Sequence, residues 1–237
     1  MGLFSFLGKK PTKTPLSPLD QTTEEYIRNR QSISVGKNIF PMIKPHDDSR
    51  ILASRFTSNP VITRELAPGI VITYGLDTGQ GFEMITNNHC KQFCISDQEL
   101  AALSARNLLT RTDGRINIEK MDFSSSIPEA EPFYRVRLDN NLDSSVMLVD
   151  HFWKQASNML KTDLIAVTLP AKNTLYFADY HSIFSFRLMR PFSGRMYEAS
   201  KQDRIEISPN TYVRKNNRWI LFDDTEQQHM ELTMGLN

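Results

Sequence analysis

Apolar and β-branched residues cluster in VITREL (61–66) and again in GIVITYGLD (69–77). The turn signal Ala67-Pro68-Gly69 lies between them, so both segments are predicted as strands. GFEMIT (81–86) completes a hairpin, because Gly79 and Gly81 supply the backbone freedom of a tight turn. Two helices are predicted next. Asn87 or Asn88 is the cap candidate for a short one over 87–94. Ser96 and Glu99 form a capping box for a longer one, in which Leu100, Leu103 and Leu108 with Ala101 and Ala105 recur at helical spacing. GRINIEKMDF (114–123) alternates like a strand.

A similar passage begins near Glu131. FYRVRL (133–138) and SSVMLV (144–149) read as strands, and DHFWKQASNML (150–160) as a helix that Asp150 caps. DLIAVTLP (163–170) and TLYFAD (174–179) form a hairpin across Ala171-Lys172-Asn173. YHSIFSFRLM (180–189) is predicted helical with Asp179 as its cap, and RIEIS (204–208), TYVRK (211–215) and RWILF (218–222) as short closing strands. Hairpin-then-helix order thus occurs twice, over 70–94 and 163–189, without residue identity between the two. The expected fold class is α+β: mixed or antiparallel sheets built from two such units, with helices packed on one face. The expected units span 50–130 and 131–222. Residues 1–49 read as an N-terminal tip and proline-rich linker, with a short helix opening near 24–33 and FPMIKPHDDSR (40–50) irregular. Residues 223–237 read as a polar, frayed tail.

Composition narrows the function classes. The chain has 237 residues, 40% hydrophobic and 23% charged, with 28 basic against 27 acidic residues. A net charge of +1 gives no field for a polyanion, so no nucleic-acid partner is expected. Two cysteines make no disulfide framework, and no apolar run is long enough to span a bilayer. A cytoplasmic compartment is the default. The start, MGLFSFLGKK (1–10), has its lysines on the wrong side for a secretory signal, and Phe6 stands where a myristoylation pattern wants Ser or Thr. The segment reads as an apolar tip or a small membrane-surface anchor.

Candidate chemistry is sparse. NNHCKQFC (87–94) holds both cysteines and His89. On a helix Cys90 and Cys94 share a face while His89 points about 100° away from Cys90. Zinc wants three or four convergent ligands, and His46, His151, His181 and His229 stand in unrelated segments. No metal or cofactor is therefore expected, and both thiols read as small core hydrophobes. Neither a Gly-x-Ser-x-Gly nor a His-Glu-x-x-His motif occurs. Asp150 with His151, and Asp179 with His181, place acid and imidazole together at predicted strand-to-helix turns, the parts of a general acid–base site. Both aspartates are better explained as helix caps. Arg187, Arg190 and Arg195, near Tyr197, are the candidates for binding an anion or an acidic partner. Trp153 and Trp219 read as core or rim aromatics.

Residues 60–222 resemble the YtpQ-like bacterial proteins, a family of unknown function. The resemblance is carried by the hairpin and short helix of GIVITYGLD…FEMITNNHCKQFC, then Ile95-Ser96, Glu99-Leu100, Ala105 and Asn107-Leu108. DLIAVTLPAKNTLYFAD is similar to the family's second hairpin and ISPNTYVRKNNRWILF to its closing strands. Phe93-Cys94 stand where the family often has an aromatic-glycine pair. The resemblance implies a bacterial, cytoplasmic α+β protein and no particular catalytic residue. The leading expectation is a non-enzymatic protein-binding module, for example an immunity or accessory protein that blocks a toxin. The alternatives are a hydrolase-type enzyme using one of the Asp/His turns and a peripheral membrane module anchored by residues 1–10. Oligomeric state is not legible.

Overall fold

The computed structural model describes residues 36–128, 131–139 and 141–234. The N-terminal tip, the linker and the helix expected near 24–33 lie outside the described residues. Among the described residues the strands form two antiparallel sheets. With six α-helices around them, the fold is α+β.

The four-stranded sheet is centred on β3 (Ile70–Asp77). On one edge lies β1 (Ile39–Pro45), paired along its whole length from Ile39 opposite Leu76 to Pro45 opposite Ile70. The expectation of irregular chain here, with the body starting near Arg50, is corrected. Pro41 and Pro45 are tolerated because β1 is an edge strand, where a missing N–H leaves no ladder bond broken. A short helix, α1 (Ser49–Ser54), follows it. The other edge of β3 carries β2 (Thr63–Ala67) and β4 (Phe82–Met84), as the hairpin signals predict.

Two helices cover one face of this sheet. In α2 (Asn87–Phe93) the N-cap is Thr86, not Asn87 or Asn88: the Thr86 N–H donates to His89 Nδ1 at 3.1 Å. Asn88 instead donates its own N–H to Asn59 Oδ1 at 2.8 Å. In α3 (Asp97–Thr112) the expected capping box is present, with Ser96 N–H to Glu99 Oε2 at 2.7 Å and Glu99 N–H to Ser96 Oγ at 3.3 Å. Cys90 and Leu100 pack from these helices onto Ile39, Ile72 and Tyr74.

The six-stranded sheet has the order β10-β9-β7-β8-β6-β5. Its strands are β5 (Asn117–Met121), β6 (Phe133–Arg137), β7 (Ile165–Ala171), β8 (Thr174–Asp179), β9 (Thr211–Lys215) and β10 (Arg218–Leu221). Ile118 of β5 lies opposite Val136 of β6, so the boundary expected near residue 130 falls inside a hairpin of this sheet. SSVMLV is not a strand. Ser144–Leu148 is a 3-10 turn, wound in after the Asp143 carboxylate accepts the N–H groups of Leu138 and Asp139 at 2.9 and 3.1 Å. RIEIS contributes only a single bridge, Glu206 to Ala171.

Both faces of the large sheet are buried, which is why every residue of β7 is out of water. Helix α5 (Ile183–Ser200) lays Phe186 and Met189 over Ala166, Tyr176, Ala178 and Val213. Leu232 of α6 (Glu226–Met234) joins that face. The frayed tail is thus corrected to a docked helix, because Leu232 is 3% exposed and Lys215 Nζ donates to Glu231 O at 2.6 Å. On the other face α4 (Asp150–Leu160) packs Phe152, Trp153 and Ala156 against Val136, Val167 and Phe177. Helices α2 and α3 share one face of the four-stranded sheet, whereas helices divide between both faces of the six-stranded one.

Trp153 is the pivot of that second face. It is 0% exposed, meets Phe152, Phe177 and Trp219 edge-on, and donates Nε1–H to Met147 O at 3.0 Å. Trp153→Ala is expected to cost about 3–5 kcal/mol, read from urea unfolding midpoints at constant m. A loss below about 1 kcal/mol contradicts this placement of the core.

Candidate functional site

Alternation along β1 sends Ile39 and Ile43 to one face, Ile39 under α2 and α3 and Ile43 into the core shared with the six-stranded sheet, and Phe40, Met42 and Lys44 to the other. Phe40 and Met42 close over Phe82, Leu138 and Leu142. They can do so because β3 has glycine at position 75. A Cβ there would stand 2.5 Å from Met42 Cε and 2.9 Å from Phe82 Cδ1. The next residue in the row, Lys44, is half-buried and meets a different environment.

Three further segments converge on it. After β1, Asp48 caps α1 and grips Arg50, with Nε to Oδ1 at 3.1 Å and Nη2 to Oδ2 at 2.8 Å. From the six-stranded sheet the β7–β8 turn brings Lys172, whose N–H donates to Ile205 O at 2.9 Å and whose carbonyl accepts Ser144 N–H at 3.2 Å. That bond seats the 3-10 turn, with Ser144 and Ser145, beside Lys172. Asp139 winds the preceding loop by accepting Leu142 N–H at 2.9 Å, and its other oxygen takes Arg111 Nη2 at 2.9 Å. Arg111 also lies over the Phe40 ring, 5.7 Å from its centroid.

The result is a cavity of about 450 Å³ between the two sheets. Lys44, Arg50, Arg111 and Lys172 line it, against the carboxylates of Asp77 and Asp139. Arg111 is neutralised by Asp139 and Arg50 by Asp48. Lys44 and Lys172 form no ion pair or side-chain hydrogen bond among the described residues. Burial lowers the Lys44 pKa below the ordinary lysine value; Arg50 and Lys172 lower it further, while Asp48 and Glu206 offset part of this. Ser145 lines the same cavity, is 1% exposed, and its Oγ has no hydrogen-bond partner among the described residues. Lysines that close no ion pair make this lining suited to an anion.

The residues singled out from the sequence lie elsewhere. Asp150 is the exposed first residue of α4, whose cap is Val149. Its carboxylate accepts Arg214 Nη2 at 3.2 Å and caps nothing. His151 is exposed beside it. Asp179 does not cap α5, whose cap is Ser182; its Oδ1 accepts the His181 N–H at 3.0 Å and shapes the turn. Among the described residues neither imidazole bonds its neighbouring aspartate side chain, and neither pair lines the 450 Å³ cavity.

Of the three arginines, Arg187 and Arg190 share a shallow cavity of about 400 Å³ with Phe222, while the exposed Arg195 does not line it. Arg190 is already occupied. It lies over Phe186 and Phe222, at 5.4 and 5.1 Å, and pairs with Asp224 at 3.2 Å. Asp224 in turn bonds His229, which bonds the Tyr180 hydroxyl at 2.6 Å. His229 and Arg190 hold the Asp224 carboxyl below its usual range, so this chain fastens α6.

Cys90 is buried, and burial pushes its thiol pKa up. Cys94, expected in the core, is instead the exposed left-handed C-cap of α2, with φ 53°. Among the described residues no three His, Cys, Asp or Glu side chains are grouped to hold a metal ion.

The cleft cations escaped the sequence reading. Lys44 would have stood out only with β1 recognised as a strand, and Lys172 reads as an ordinary hairpin-turn lysine. Comparison with family models, curated proteins and solved structures finds no match to this chain.

Lys44 also predicts a stability effect. With its pKa lowered in the fold, the unfolded chain binds the proton more tightly. The native state is therefore penalised at neutral pH, and the penalty fades as pH rises through the lowered value toward the ordinary 10.5. Lys44→Met is expected to raise the urea midpoint at pH 7, with a gain that shrinks toward pH 10. No gain at pH 7, or a gain independent of pH, contradicts the burial of this charge.

Proposed function

We propose that this chain is a non-enzymatic binding protein that receives an acidic group of a protein partner in the cleft between its sheets. One observation carries the reading: Lys44 and Lys172 line the same cavity and form no ion pair among the described residues. A half-buried cation with no partner costs stability. A ligand that supplies the opposite charge recovers that cost on binding. The whole chain carries only +1, so the attraction is local and favours a group that enters the cleft over a general polyanion.

An immunity or accessory protein that blocks a toxin is the concrete form of this reading. The YtpQ-like kinship and a cytoplasmic location belong to the same proposal, and rest on the resemblance and on composition. Among the described residues no helix is long and apolar enough to cross a membrane.

The test compares two charge reversals in the full chain, with binding of a fluorescent glutamate-rich peptide read by anisotropy. Lys44→Glu/Lys172→Glu is expected to weaken binding about tenfold or more, the equivalent of about 1.4 kcal/mol. Arg187→Glu/Arg195→Glu is expected to leave it unchanged, and added salt to weaken the wild-type complex. Loss of binding with the helix pair and not the cleft pair, or no binding by the wild type, overturns the proposal.

A further inference from the structure

Resting on that reading of the cleft, we infer that its preferred anion is a phosphate monoester, bound as the dianion. The charge count comes first. Lys44 and Lys172 form no ion pair among the described residues, so a carboxylate would pair with one of them and a dianion pairs with both; Asp77 on the same wall and Glu206 nearby reduce the excess positive charge without closing an ion pair. Lysines suit this role: an ammonium is a point charge that follows phosphate oxygens, whereas the two arginines are committed by their planar forks to Asp48 and Asp139.

Hydrogen-bond demand comes second. Ser145 borders the cavity, and its hydroxyl, itself out of solvent, lacks a partner among the described residues, so a rotation about its side chain is what would bring it to a ligand. Buried polar groups are rarely left so, and a monoester offers three strong acceptor oxygens to the two ammoniums and this donor. Arg50 adds capacity. Its Nε and Nη2 are taken by Asp48, but its Nη1 carries no bond among the described residues.

Shape comes third. About 450 Å³ holds more than the phosphate alone. Met42, Phe82 and Met84 line the same cavity and offer an apolar wall to the esterified organic part.

Binding is expected to depend on pH from both sides. A monoester loses its second proton near about pH 6, so affinity rises through that range. At alkaline pH it falls as Lys44 discharges below the ordinary lysine value. The charged groups acting on Lys44 are Arg50 and Asp48 at the start of α1, Lys172 on the β7–β8 turn and Glu206 after α5. Asp77, Arg111 and Asp139 complete the lining. Glu206 competes with a ligand for Lys44.

Calorimetry on the full chain tests this with three probes: phenyl phosphate, a phosphoserine peptide, and the same peptide with glutamate at that position. The phosphoserine peptide is expected to bind at least about tenfold tighter than the glutamate peptide at pH 7.5. That preference should shrink toward pH 5.5 and be lost in both Lys44→Met and Lys172→Met. Phenyl phosphate binding as tightly as the phosphopeptide supports the inference with a small phosphorylated molecule as the source; weaker phenyl phosphate supports it with a phosphorylated side chain. Equal binding of the two peptides, flat with pH, overturns the dianion while leaving the acidic-partner reading intact. Phosphate binding unaffected by both lysine variants overturns the assignment to this cavity. No binding by any probe overturns both readings.

Discussion

The structure depends on covering the inner face of the six-stranded sheet. Helix α4 is too short to do so alone, and the end of the four-stranded sheet supplies the rest. Ile43, Ala67 and Ile70 enter the same core as Val167, Leu169, Phe177 and Trp153. The Tyr212 hydroxyl then crosses between the sheets to donate to Pro68 O at 3.1 Å. This contact turns two hairpin systems into one packed body. It also decides what lies beside it: with Ile43 in the shared core, Lys44 must point to the opposite face of β1, toward Lys172 and the 3-10 turn.

The cleft therefore contains two kinds of cation. Arg50 and Arg111 are held by aspartates of neighbouring loops, and each pair ties a turn in place. The Lys44 and Lys172 ammoniums hold no turn and form no such ion pair among the described residues. A fold selected for stability alone would place methionine or leucine at position 44, level with Met42 along the same row. The burial of the Lys44 charge costs stability at neutral pH. Arg190 of α5, by contrast, is held on the protein's own groups: it is stacked on two phenylalanines and paired with Asp224, and with His229 and Tyr180 it secures α6.

Local chemistry was legible in the sequence. The β2–β3–β4 meander, the β7–β8 hairpin and the Ser96–Glu99 capping box all follow from turn residues, caps and periodicity that act within a few residues; of helix α5, expected over 180–189, only the first part was legible, since it runs Ile183–Ser200. What stayed hidden depended on partners far along the chain. Pro41 and Pro45 speak against a strand, yet an edge position beside β3 admits them. SSVMLV has β-forming residues, but Asp143 winds the chain inward just before it. Asp150 and Asp179 have the right residue type for caps, while Val149 and Ser182 hold those positions. The polar residues of α6 conceal Leu232, whose burial docks the helix together with the Lys215–Glu231 and Tyr180–His229 bonds. The cleft was the least legible of all: Lys44 and Lys172 belong to different sheets, and no spacing along the chain encodes their approach.

The most direct measurement is a crystal structure of the full chain soaked in tungstate, a heavy dianion of phosphate-like shape, with the ion located by its anomalous signal. The account predicts a peak in the cleft within hydrogen-bonding distance of the Lys44 and Lys172 ammoniums, with the Ser145 hydroxyl turned toward it. An empty cleft, with Lys44 paired to Glu206 and the anion bound at Arg187 instead, would contradict it.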